Sequence, residues 1–451
     1  MAAVLAHKGH TVIGVDKNPD FVAALNAGSA PVAEPGLEGL IRQNRSRLSA
    51  TTDYQEAIAD TELSFIIVPT PSEPDGTFSL RLVLAAAQSI GEALRKKAGF
   101  HLVALSSTVM PGSTGGHVMP TLERASGRQC GQDLGLCYNP EFIALGSVIR
   151  DLLAPDMILI GESDERSGQM LEDFHLSVCE SKPAVARMNF VNAELTKLSV
   201  NTFVTTKISY ANMLAQLCER LPEADVDVVT AALGLDSRIG RKYLKGALGY
   251  GGPCFPRDNV AFAALARKHG VQAILAEATD RLNRQQAPRL GDLLLSHLPK
   301  GGLIGILGLS YKADTDVIEE SQGVALAQYL LARAVPLVVY DPAAMDNARS
   351  CLDGNVTFAR SLQECVRQAH VLAITTPWEE FKGVATKDLN RSLGRPTVAD
   401  CWRILPRGEF EAVANYLTLG CGSRKAGCEP RVRHAAASLG QPESYVRVEK
   451  Q

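Results

Sequence analysis

The sequence predicts an α/β protein with two Rossmann-like, doubly wound domains joined by a long central helix. Short apolar segments that end in polar or glycine-rich turns recur within residues 1–190 and again after residue 300. Between these regions, apolar residues recur at helical spacing over residues 192–221. Strands that alternate with helices are typical of parallel sheets with helices packed on both faces.

The composition is ordinary for a soluble globular protein, with 46% hydrophobic and 21% charged residues. The 451 residues are enough for two or three domains. A formal net charge of −3 provides no positive field for nucleic acid or an anionic membrane, so we expect neither as a partner. No apolar run reaches the length of a membrane span, and the first residues do not have the pattern of a signal peptide.

The ten cysteines are scattered and form no Cys-x-x-Cys pair. The sequence therefore predicts neither a zinc ribbon nor a dithiol redox site, and we expect no bound metal. Reduced thiols are the default of the cytoplasm, which is the localisation we expect.

The first α/β unit opens with a short helix, a glycine turn and a buried parallel strand that ends at Asp16. In a Rossmann unit an acidic residue at that place bonds the adenosine ribose of a dinucleotide; taken by itself, Asp16 is better explained as a strand-end carboxylate. The strand and GxGxxG loop that precede such a helix in the usual fingerprint are absent from the sequence. We therefore expect two unpaired sheet edges. We also expect weak or no dinucleotide binding, because the N–H groups of that loop hold the pyrophosphate.

Two further strands of this unit, in segments 62–71 and 101–112, run into turns that carry hydroxyl groups. Ligands of doubly wound sheets bind at the carboxyl ends of the strands, so Thr70, Ser107 and Thr108 are candidate cofactor contacts. The alternative is that these hydroxyls cap the helices that follow.

The second α/β unit begins near residue 300. Its predicted strands are 303–311, 336–340, 370–376 and 396–400. After residue 419 the periodicity fades into small, glycine-rich and arginine-rich sequence, which predicts a largely disordered tail at 421–451. A regulatory or assembly tail is the alternative.

Segment 249–258 combines glycines and prolines with the thiol of Cys254. Glycines let a backbone approach a ligand closely, and the prolines stiffen the chain on both sides of the sulfur. A thiol close to Arg257 and Asp258 suits an activated nucleophile. Taken alone, however, the cysteine is more simply explained as a small buried residue in an ordinary turn.

This segment, GYGGPCFPRD, resembles the active-site signature of the nucleotide-sugar dehydrogenases, the family of UDP-glucose 6-dehydrogenase and GDP-mannose dehydrogenase. The family pattern is roughly Gly-Phe/Tyr-Gly-Gly-x-Cys-Phe/Leu-x-Lys-Asp, and Arg257 stands where lysine is usual. Further matches run to about residue 420. The resemblance implies NAD as the cofactor and a four-electron oxidation of a nucleotide-sugar alcohol to a carboxylate. It also implies a homodimer or a larger homo-oligomer.

The resemblance divides the chain into domains. Residues 1–190 are expected to form the NAD-binding Rossmann domain, without its first strand and glycine loop. Residues 191–295 are expected to form a central helical dimerisation domain that carries the cysteine loop. Residues 296–420 are expected to form a C-terminal Rossmann-like domain that binds the UDP-sugar.

The catalytic residues that the resemblance implies come from several segments. Lys197 and Asn201 match the family's Ala-Glu-Leu-x-Lys-Leu/Phe-x-x-Asn and share one face of the predicted central helix, although a helical lysine is most often solvated. Asn-Pro-Glu-Phe at 139–142 resembles the segment that carries a catalytic glutamate. The full implied set is Cys254, Lys197, Asn201, Asp258, Glu141 and Thr108.

The implied substrate contacts begin in that glutamate segment, whose backbone touches the sugar in the family. Leu145 stands where most relatives carry glutamate. Stretch 236–248 resembles the Arg-Ile-Gly-x-x-Phe/Tyr-Leu-Lys of UDP-glucose dehydrogenases, where the arginine reaches across a dimer; without the resemblance it is a basic surface loop. Lys312, in Gly-Leu-Ser-Tyr-Lys, matches a lysine that meets the nucleotide diphosphate. The full implied set is Glu141, Phe142, Ile143, Ala144, Leu145, Lys197, Asn201, Arg238, Tyr243, Leu244, Lys245, Gly246, Ala247, Gly251, Lys312 and Arg403.

The implied cofactor contacts are Asp16, Thr70, Ser107, Thr108, Glu141 and Arg257. Glu319 stands where relatives often carry an arginine that meets NAD. Such a charge reversal is worth roughly 1–3 kcal/mol if the group is partly buried, and Arg257 is a candidate to compensate for it. Segment 31–37, which includes Glu34, also resembles a family segment; by residue type it is a polar loop that caps a helix.

The sequence leaves two alternatives open. UDP-glucose is the expected substrate from the match at 238–245, with UDP-N-acetylated hexosamines and GDP-mannose as alternatives. The absent glycine loop and Glu319 favour a second hypothesis, in which the protein is catalytically impaired or non-catalytic. Such a protein would bind a nucleotide sugar or serve as a subunit partner.

Overall fold

The computed structural model describes residues 1–423. In its N-terminal part the helices are α1 (Ala2–His7), α2 (Pro19–Ala27), α3 (Leu37–Gln43), α4 (Tyr54–Ala59), α5 (Arg81–Leu94), α6 (Met119–Ser126), α7 (Val148–Leu153) and α8 (Glu165–Val178). The strands of this part are β1 (Val12–Val15), β2 (Leu48–Thr51), β3 (Leu63–Ile66), β4 (His101–Leu105), β5 (Leu134–Tyr138), β6 (Met157–Glu162) and β7 (Ala184–Met188). A π-helical turn, Thr114–Val118, precedes α6.

These strands fall into two sheets rather than one. β1 pairs in parallel with β2, with Val12 opposite Leu48. The second sheet has the order β3-β4-β5-β6-β7, and its β5–β6 pair is antiparallel. Among the described strands, β1 and β3 each have a partner on one side, as predicted for the two sheet edges. β1 is half-buried and not buried as predicted, because a single strand adjoins it.

Five helices form the central part of the chain, namely α9 (Phe190–Arg220), α10 (Val226–Leu233), α11 (Phe255–Lys268), α12 (Ile274–Arg284) and α13 (Gln286–Ser296). α9 has 31 residues and confirms the predicted central helix; at 1.5 Å per residue it is about 46 Å long. It begins where the Asn189 side chain accepts the N–H of Asn192. It ends before Leu221, whose backbone is extended because Pro222 follows.

The C-terminal part contains a single parallel sheet of order β10-β9-β8-β11-β12-β13. Its strands are β8 (Ile304–Leu307), β9 (Leu337–Tyr340), β10 (Val356–Phe358), β11 (Val371–Ile374), β12 (Thr397–Asp400) and β13 (Asn415–Leu417), and its helices are α14 (Gln322–Leu331), α15 (Met345–Arg349), α16 (Leu362–Gln368) and α17 (Arg407–Val413). Short 3-10 turns lie at Glu379–Gly383 and Thr386–Asp388. The four predicted strands are present. β10 and β13 were not predicted, because each has three residues, too few to show an alternation of apolar and polar side chains.

Apolar side chains cover both faces of this C-terminal sheet. One cluster includes Leu326 and Leu330 of α14, and the opposite cluster includes Phe381 and Phe410. The architecture is therefore the predicted one, with two α/β units flanking a long central helix. Within residues 1–423, none of the helices is both long enough and apolar enough to cross a membrane.

The first three residues of the predicted tail, 421–423, belong to the described part of the chain. The Gly422 N–H donates to the Ala224 carbonyl (2.9 Å), and the Glu223 N–H donates to the Ser423 carbonyl (3.0 Å). The first residues of the predicted tail thus pack on the loop between α9 and α10, a contact distant in sequence. The remaining predicted tail, 424–451, lies outside the described residues.

From two buried histidines, His101 and His175, we predict that the fold loses stability in mild acid. His101 is fully buried in β4, and burial together with the charges of Lys97 and Arg128 lowers its pKa to about 4. Burial also lowers the pKa of His175 to about 4. In the unfolded chain a histidine titrates near pH 6.5, so the unfolded chain takes up protons first as the pH falls. The free energy of unfolding should be highest above pH 6.5 and decrease between pH 6.5 and 4.

Urea unfolding at pH 7 and pH 5 measures this effect. Each such histidine contributes roughly 1.4 kcal/mol of lost stability per pH unit within that window. We expect the difference between the two pH values to shrink in His101→Gln and to remain in His269→Gln, because His269 is exposed. An equal difference in all three proteins would rule out His101 as a source of acid sensitivity.

Candidate active site

Cys254 lies at the N terminus of α11, immediately before its first residue. Its side chain is exposed, and its carbonyl accepts the N–H of Asp258 (2.8 Å). The N–H groups and the dipole of a helix N terminus favour a thiolate. Partial burial and the charge of Asp258 nevertheless raise the pKa of the thiol, whereas Arg257 and Lys197 act in the opposite direction. Ionisation of this sulfur therefore depends on the two neighbouring cations.

The glycines of the cysteine loop pack against protein. Gly252 has a φ of 83°, and its N–H donates to the Glu319 carbonyl (2.9 Å). A Cβ at Gly252 would lie 2.6 Å from the Tyr311 ring, and one at Gly251 would collide with the Glu320 carbonyl. The space on the Cβ side of both glycines is filled by the C-terminal part of the chain, and the close approach of a ligand to this loop stays a prediction.

Two predicted catalytic side chains of α9 reach the cysteine loop and the segment after β5. Lys197 and Asn201 are 8% and 7% exposed. The Asn201 Nδ2 donates to Oδ2 of Asp258 (2.6 Å), and the Lys197 Nζ donates to the Glu141 carbonyl (2.6 Å). The same Nζ lies 4.4 Å from the centre of the Phe142 ring, a cation–π contact. One helix thus connects the nucleophile loop to the predicted sugar segment.

Lys197 lies near three groups that favour its positive charge and near one cation, Arg257, that opposes it. Burial lowers the pKa of its ammonium group, and the charges of Asp258, Cys254 and Glu141 act in the opposite direction. Asp258 is 1% exposed and is paired with Arg257, whose Nη2 lies 3.3 Å from its Oδ1. Removing one partner from a buried network of this kind typically costs about 3–5 kcal/mol, because an uncompensated charge stays behind.

Glu141 follows β5 and presents one oxygen that the protein does not bind. Its Oε1 is buried and has no hydrogen-bond partner among the described residues. Burial raises the pKa of the carboxyl group, while the charges of the terminal amino group and Lys197 act in the opposite direction. A buried carboxyl oxygen without a protein partner is typical of a group that contacts ligand or water.

Two of the three hydroxyls predicted to meet the cofactor, those of Thr70 and Ser107, join two loops at the carboxyl ends of β3 and β4. The Ser107 Oγ donates to the Val68 carbonyl (2.7 Å), and the Thr70 Oγ1 donates to the Thr108 carbonyl (2.8 Å). The Arg257 Nη1 donates to the Thr70 carbonyl (3.2 Å). The hydroxyls of Thr70 and Ser107 therefore donate to loop carbonyls and do not cap a following helix.

The predicted ribose contact, Asp16, is exposed at the end of β1. Its Oδ1 accepts the Asn18 N–H (2.8 Å). Beside the cysteine loop, a cavity of about 210 Å³ is lined in part by Arg257 and Glu319. The two departures from the family's sequence pattern therefore border the same cavity.

Lys312 lies in a loop that a buried carboxylate shapes. Asp341, just after β9, accepts the N–H groups of Leu309 (2.7 Å) and Ser310 (2.9 Å) through one oxygen. Burial lowers the pKa of Lys312, and the charges of Asp151, Glu34 and Asp314 act in the opposite direction. Asp341 occupies in the second α/β unit the position that Asp16 occupies in the first. In the second unit this carboxylate shapes a loop.

Two predicted arginine contacts bind carboxylates of their own chain. The Arg238 Nη2 donates to Asp236 (2.6 Å), and the arginine is otherwise exposed to solvent. Arg403 pairs with Asp225 (3.1 Å) and also with Asp227. The contacts of residues 1–423 do not bring either arginine to the cysteine loop, so both substrate roles stay predictions.

The remaining predicted substrate contacts divide between exposed and buried positions. In the loop after α10, Tyr243 and Lys245 are exposed, whereas Leu244, Gly246 and Ala247 are buried. The Ala247 N–H donates to the Asn212 Oδ1 (3.0 Å), so this amide is already bound. On the sugar segment, Ile143 and Ala144 are exposed and Leu145 is half-buried.

Sequence reasoning missed a buried carboxylate on α9. Glu194 accepts the N–H groups of Gly112 (2.6 Å) and Thr114 (2.7 Å), and burial raises the pKa of its carboxyl group. It thereby fixes the loop that carries Thr108 to the helix that carries Lys197. The signal was present, because Glu194 precedes Lys197 by three positions and so shares its helical face.

Comparison with known proteins covers all three parts of the chain. The chain matches the sequence models of three domains described for the UDP-glucose/GDP-mannose dehydrogenase family. These are the NAD binding domain over residues 1–178, the central domain over residues 191–285 and the UDP binding domain over residues 305–407.

Individual relatives extend along nearly the full chain. A UDP-glucose 6-dehydrogenase of Haloferax volcanii is 38% identical over 413 residues, which cover 91% of this chain and 95% of that protein. A GDP-mannose 6-dehydrogenase of Pseudomonas aeruginosa is 34% identical over 344 residues, 75% of this chain and 78% of that one. The chain belongs to the UDP-glucose/GDP-mannose dehydrogenase family. It is therefore an NAD-dependent nucleotide-sugar 6-dehydrogenase, as the sequence resemblance implied.

A solved structure agrees with this assignment. The UDP-glucose dehydrogenase from Pyrobaculum islandicum superposes with a TM-score of 0.83 at 36% identity, covering 93% of this chain and 94% of that one. In that family the cofactor is NAD, and the residues present here fit it in kind. Asp16 offers an exposed carboxylate of the type that bonds ribose, and Glu141 offers a buried oxygen without a protein partner.

Proposed function

We propose that the enzyme oxidises UDP-glucose at C6 to UDP-glucuronate, with Cys254 as the covalent nucleophile. The observation that carries the proposal is the position of Cys254 at a helix N terminus, beside Asp258 and within the electrostatic reach of Lys197. The match at 305–407 to a UDP binding domain and the Haloferax volcanii relative favour UDP-glucose over GDP-mannose.

The first part of the mechanism concerns orientation of the sugar. Lys312 would meet the diphosphate, and the segment after Glu141 would meet the hexose. Asp16, Thr108 and Arg257 would hold NAD, which when bound accepts a hydride from the sugar carbon in each of two rounds. Glu141, whose carboxyl pKa is raised by burial, would hold the water that is later consumed.

The second part concerns the sulfur. The Cys254 thiolate adds to the carbonyl carbon of the sugar aldehyde to give a thiohemiacetal, which is oxidised to a thioester. The Lys197 ammonium and the Asn201 amide stabilise the oxygen that gains negative charge at each addition. Water then adds to the thioester, the carbon–sulfur bond breaks, and the carboxylate leaves with the thiol restored. Asp258 orients Asn201 and Arg257 throughout.

Product analysis with a panel of sugars tests this proposal. UDP-glucose, UDP-N-acetylglucosamine and GDP-mannose are each supplied with NAD+, and NADH and uronate are counted. We expect the highest kcat/KM with UDP-glucose and two NADH for each uronate. A preference for GDP-mannose would refute the substrate, and one NADH per sugar would refute the four-electron reaction.

We also propose that the enzyme is a homodimer that pairs through α9. This helix exposes a stripe of large apolar side chains, namely Val191, Leu195, Phe203, Tyr210, Met213 and Leu217. Such a stripe on one helix favours a second copy as its partner. The exposed Arg238 is then free to reach the other subunit.

Substitution of the most exposed aromatic residue of that stripe measures dimerisation. Phe203 is 67% exposed, and we expect Phe203→Asp to shift the protein to monomer in sedimentation velocity, by placing a charge in the apolar contact. Leu393→Asp is the matched control, because Leu393 is an exposed residue of the C-terminal part. An unchanged dimer in Phe203→Asp, or a monomeric wild type, would contradict the proposal.

The cysteines favour a reducing compartment. The described residues contain nine free cysteines, and the proposed nucleophile works only as a thiol. We therefore propose the cytoplasm as the place of action.

A non-catalytic protein that binds a nucleotide sugar is the second candidate. Glu319 favours it, because a carboxylate lines the cavity beside the cysteine loop where relatives often carry an arginine that meets NAD. Calorimetric titration with NAD+ and with UDP-glucose separates the candidates. Binding of both supports the enzyme, whereas UDP-glucose binding without NAD+ binding selects the second candidate.

A further inference from the structure

Glu34 binds a segment that lies more than a hundred residues away in the chain. Its Oε2 accepts the N–H of Gly146 (2.8 Å), and its Oε1 accepts the N–H of Val148 (2.8 Å). Glu34 itself is half-buried in the loop between α2 and α3. Both oxygens of one carboxylate are therefore committed to residues 141–148, the strap, which begins at Glu141.

A second carboxylate, that of Asp151, also holds the strap. Asp151, in the first turn of α7, accepts the N–H of Ala144 (3.1 Å) and the hydroxyl of Ser147 (2.8 Å) through Oδ2. Hydrogen bonds from a carboxylate to backbone N–H groups are charge-assisted and so are stronger than neutral ones. Three charged side chains thus hold the strap, namely the carboxylates of Glu34 and Asp151 and the ammonium of Lys197, which donates to the Glu141 carbonyl.

The strap packs against the loop that carries Lys312. Gly146 has a φ of 80°, and a Cβ there would lie 2.8 Å from the Asp314 carbonyl oxygen. The charges of Asp151, Glu34 and Asp314 favour the protonated form of Lys312, and Arg150 opposes it. Glu34 therefore acts on two segments that contact each other: it binds the strap directly, and its charge favours the protonated form of Lys312 in the adjoining loop.

We infer that Glu34 is a positioning residue, which fixes the strap against the Lys312 loop and so shapes the nucleotide-sugar site. The inference rests on the proposed function, which assigns the strap and Lys312 to substrate binding. Glu34 does not touch the cysteine loop in the described contacts. Its loss should consequently weaken binding of the sugar far more than it slows the reaction of bound sugar.

Glu34→Gln tests the inference with little change in side-chain volume. A glutamine has one acceptor oxygen, so one of the two strap amides loses its partner, and the charge near Lys312 is removed. We expect the Kd for UDP-glucose, measured by calorimetry without NAD+, to rise about 10- to 100-fold. We expect KM to rise in parallel and kcat to fall less than about threefold, a split that general destabilisation would not produce.

The pH dependence of binding gives a second readout. Without the Glu34 charge, Lys312 should lose its proton at a lower pH, so the loss of UDP-glucose affinity on the alkaline side should begin earlier in the variant. Glu38→Gln is the matched control, because Glu38 lies on α3 in the same region, is exposed and pairs with Arg42. We expect that variant to keep the wild-type Kd and pH profile.

Several outcomes would overturn the inference. These are a Kd for UDP-glucose within about twofold of wild type in Glu34→Gln, or equal losses in KM and kcat accompanied by a lowered Tm. If Glu34→Gln does not fold, Asp151→Asn replaces it, with the same expected direction and the same criteria. A wild type that binds GDP-mannose and not UDP-glucose would refute the proposed substrate; Glu34→Gln is then titrated with GDP-mannose, so the two failures are distinct.

Discussion

Cys254→Ala is expected to lower the rate of UDP-glucuronate formation by at least about 10³-fold. Without the sulfur, no thioester forms, and the aldehyde has no covalent route to the carboxylate. Binding of UDP-glucose should change little, because the exposed thiol makes no hydrogen bond that holds another element in place. Stopped-flow measurement of NADH together with chromatography of the uronate gives both quantities.

The control for this variant is Cys351→Ala, since Cys351 is a half-buried cysteine of the C-terminal part. It should retain the wild-type rate. Steady production of two NADH per sugar by Cys254→Ala at a rate near that of wild type would show that the sulfur is not a covalent participant.

Lys197→Met should have the second-largest effect, a fall in kcat of about 10²- to 10³-fold. The methionine keeps the buried chain length but removes the ammonium that favours the Cys254 thiolate and that we propose stabilises the oxyanion. The apparent pKa for alkylation of Cys254 should rise, because a neighbouring positive charge has been removed. Iodoacetamide labelling as a function of pH measures that shift independently of turnover.

Lys182→Met, at an exposed lysine before β7, is the matched control. Its kcat and its pH profile for alkylation of Cys254 should equal those of wild type. A Lys197→Met enzyme with a wild-type kcat, or with an unchanged alkylation profile, would place Lys197 among the structural residues only. Lys197→Arg should not restore activity, because the ammonium lies in a buried site 2.6 Å from the Glu141 carbonyl.

The elements predicted best are those in which apolar residues repeat over many positions or in which turn residues mark both ends. α9 follows from 30 residues of helical spacing, and the strands of the C-terminal unit follow from apolar segments bounded by turns. β10 and β13 were missed because a three-residue strand is specified by the neighbour it pairs with. Gly422 and Ser423 were placed in the predicted tail, but both are hydrogen-bonded to a loop some 200 positions earlier, which local composition does not reveal.

In the candidate active site, too, residues in a local motif were predicted and residues fixed by distant contacts were not. Lys197, Asn201 and Asp258 were predicted from a motif, and the structure brings them together, with their roles still to be tested. Glu194 and Glu34 were not predicted to act, because each binds backbone N–H groups about 80 to 110 positions away. Backbone donors have no side-chain signature, so a sequence does not show which carboxylate they will meet.

The glycines of the cysteine loop illustrate a further limit. Glycine in a loop indicates close approach, but the sequence does not say of what. Here Gly251 and Gly252 approach Glu320 and Tyr311, and Arg257 ties the same loop to Thr70. The position of the sulfur therefore depends on contacts with both the N-terminal and the C-terminal parts of the chain.

The central claim, a covalent bond between the sugar and Cys254, is tested most directly by mass spectrometry of the stalled enzyme. Asp258→Asn should slow hydrolysis by disturbing the Asn201 and Arg257 contacts, so that the thioester accumulates. After incubation with UDP-glucose and NAD+ and an acid quench, we predict a sugar-nucleotide adduct on the peptide that contains Cys254, sensitive to hydroxylamine. An unmodified Cys254 peptide in an enzyme that still releases UDP-glucuronate would contradict the account.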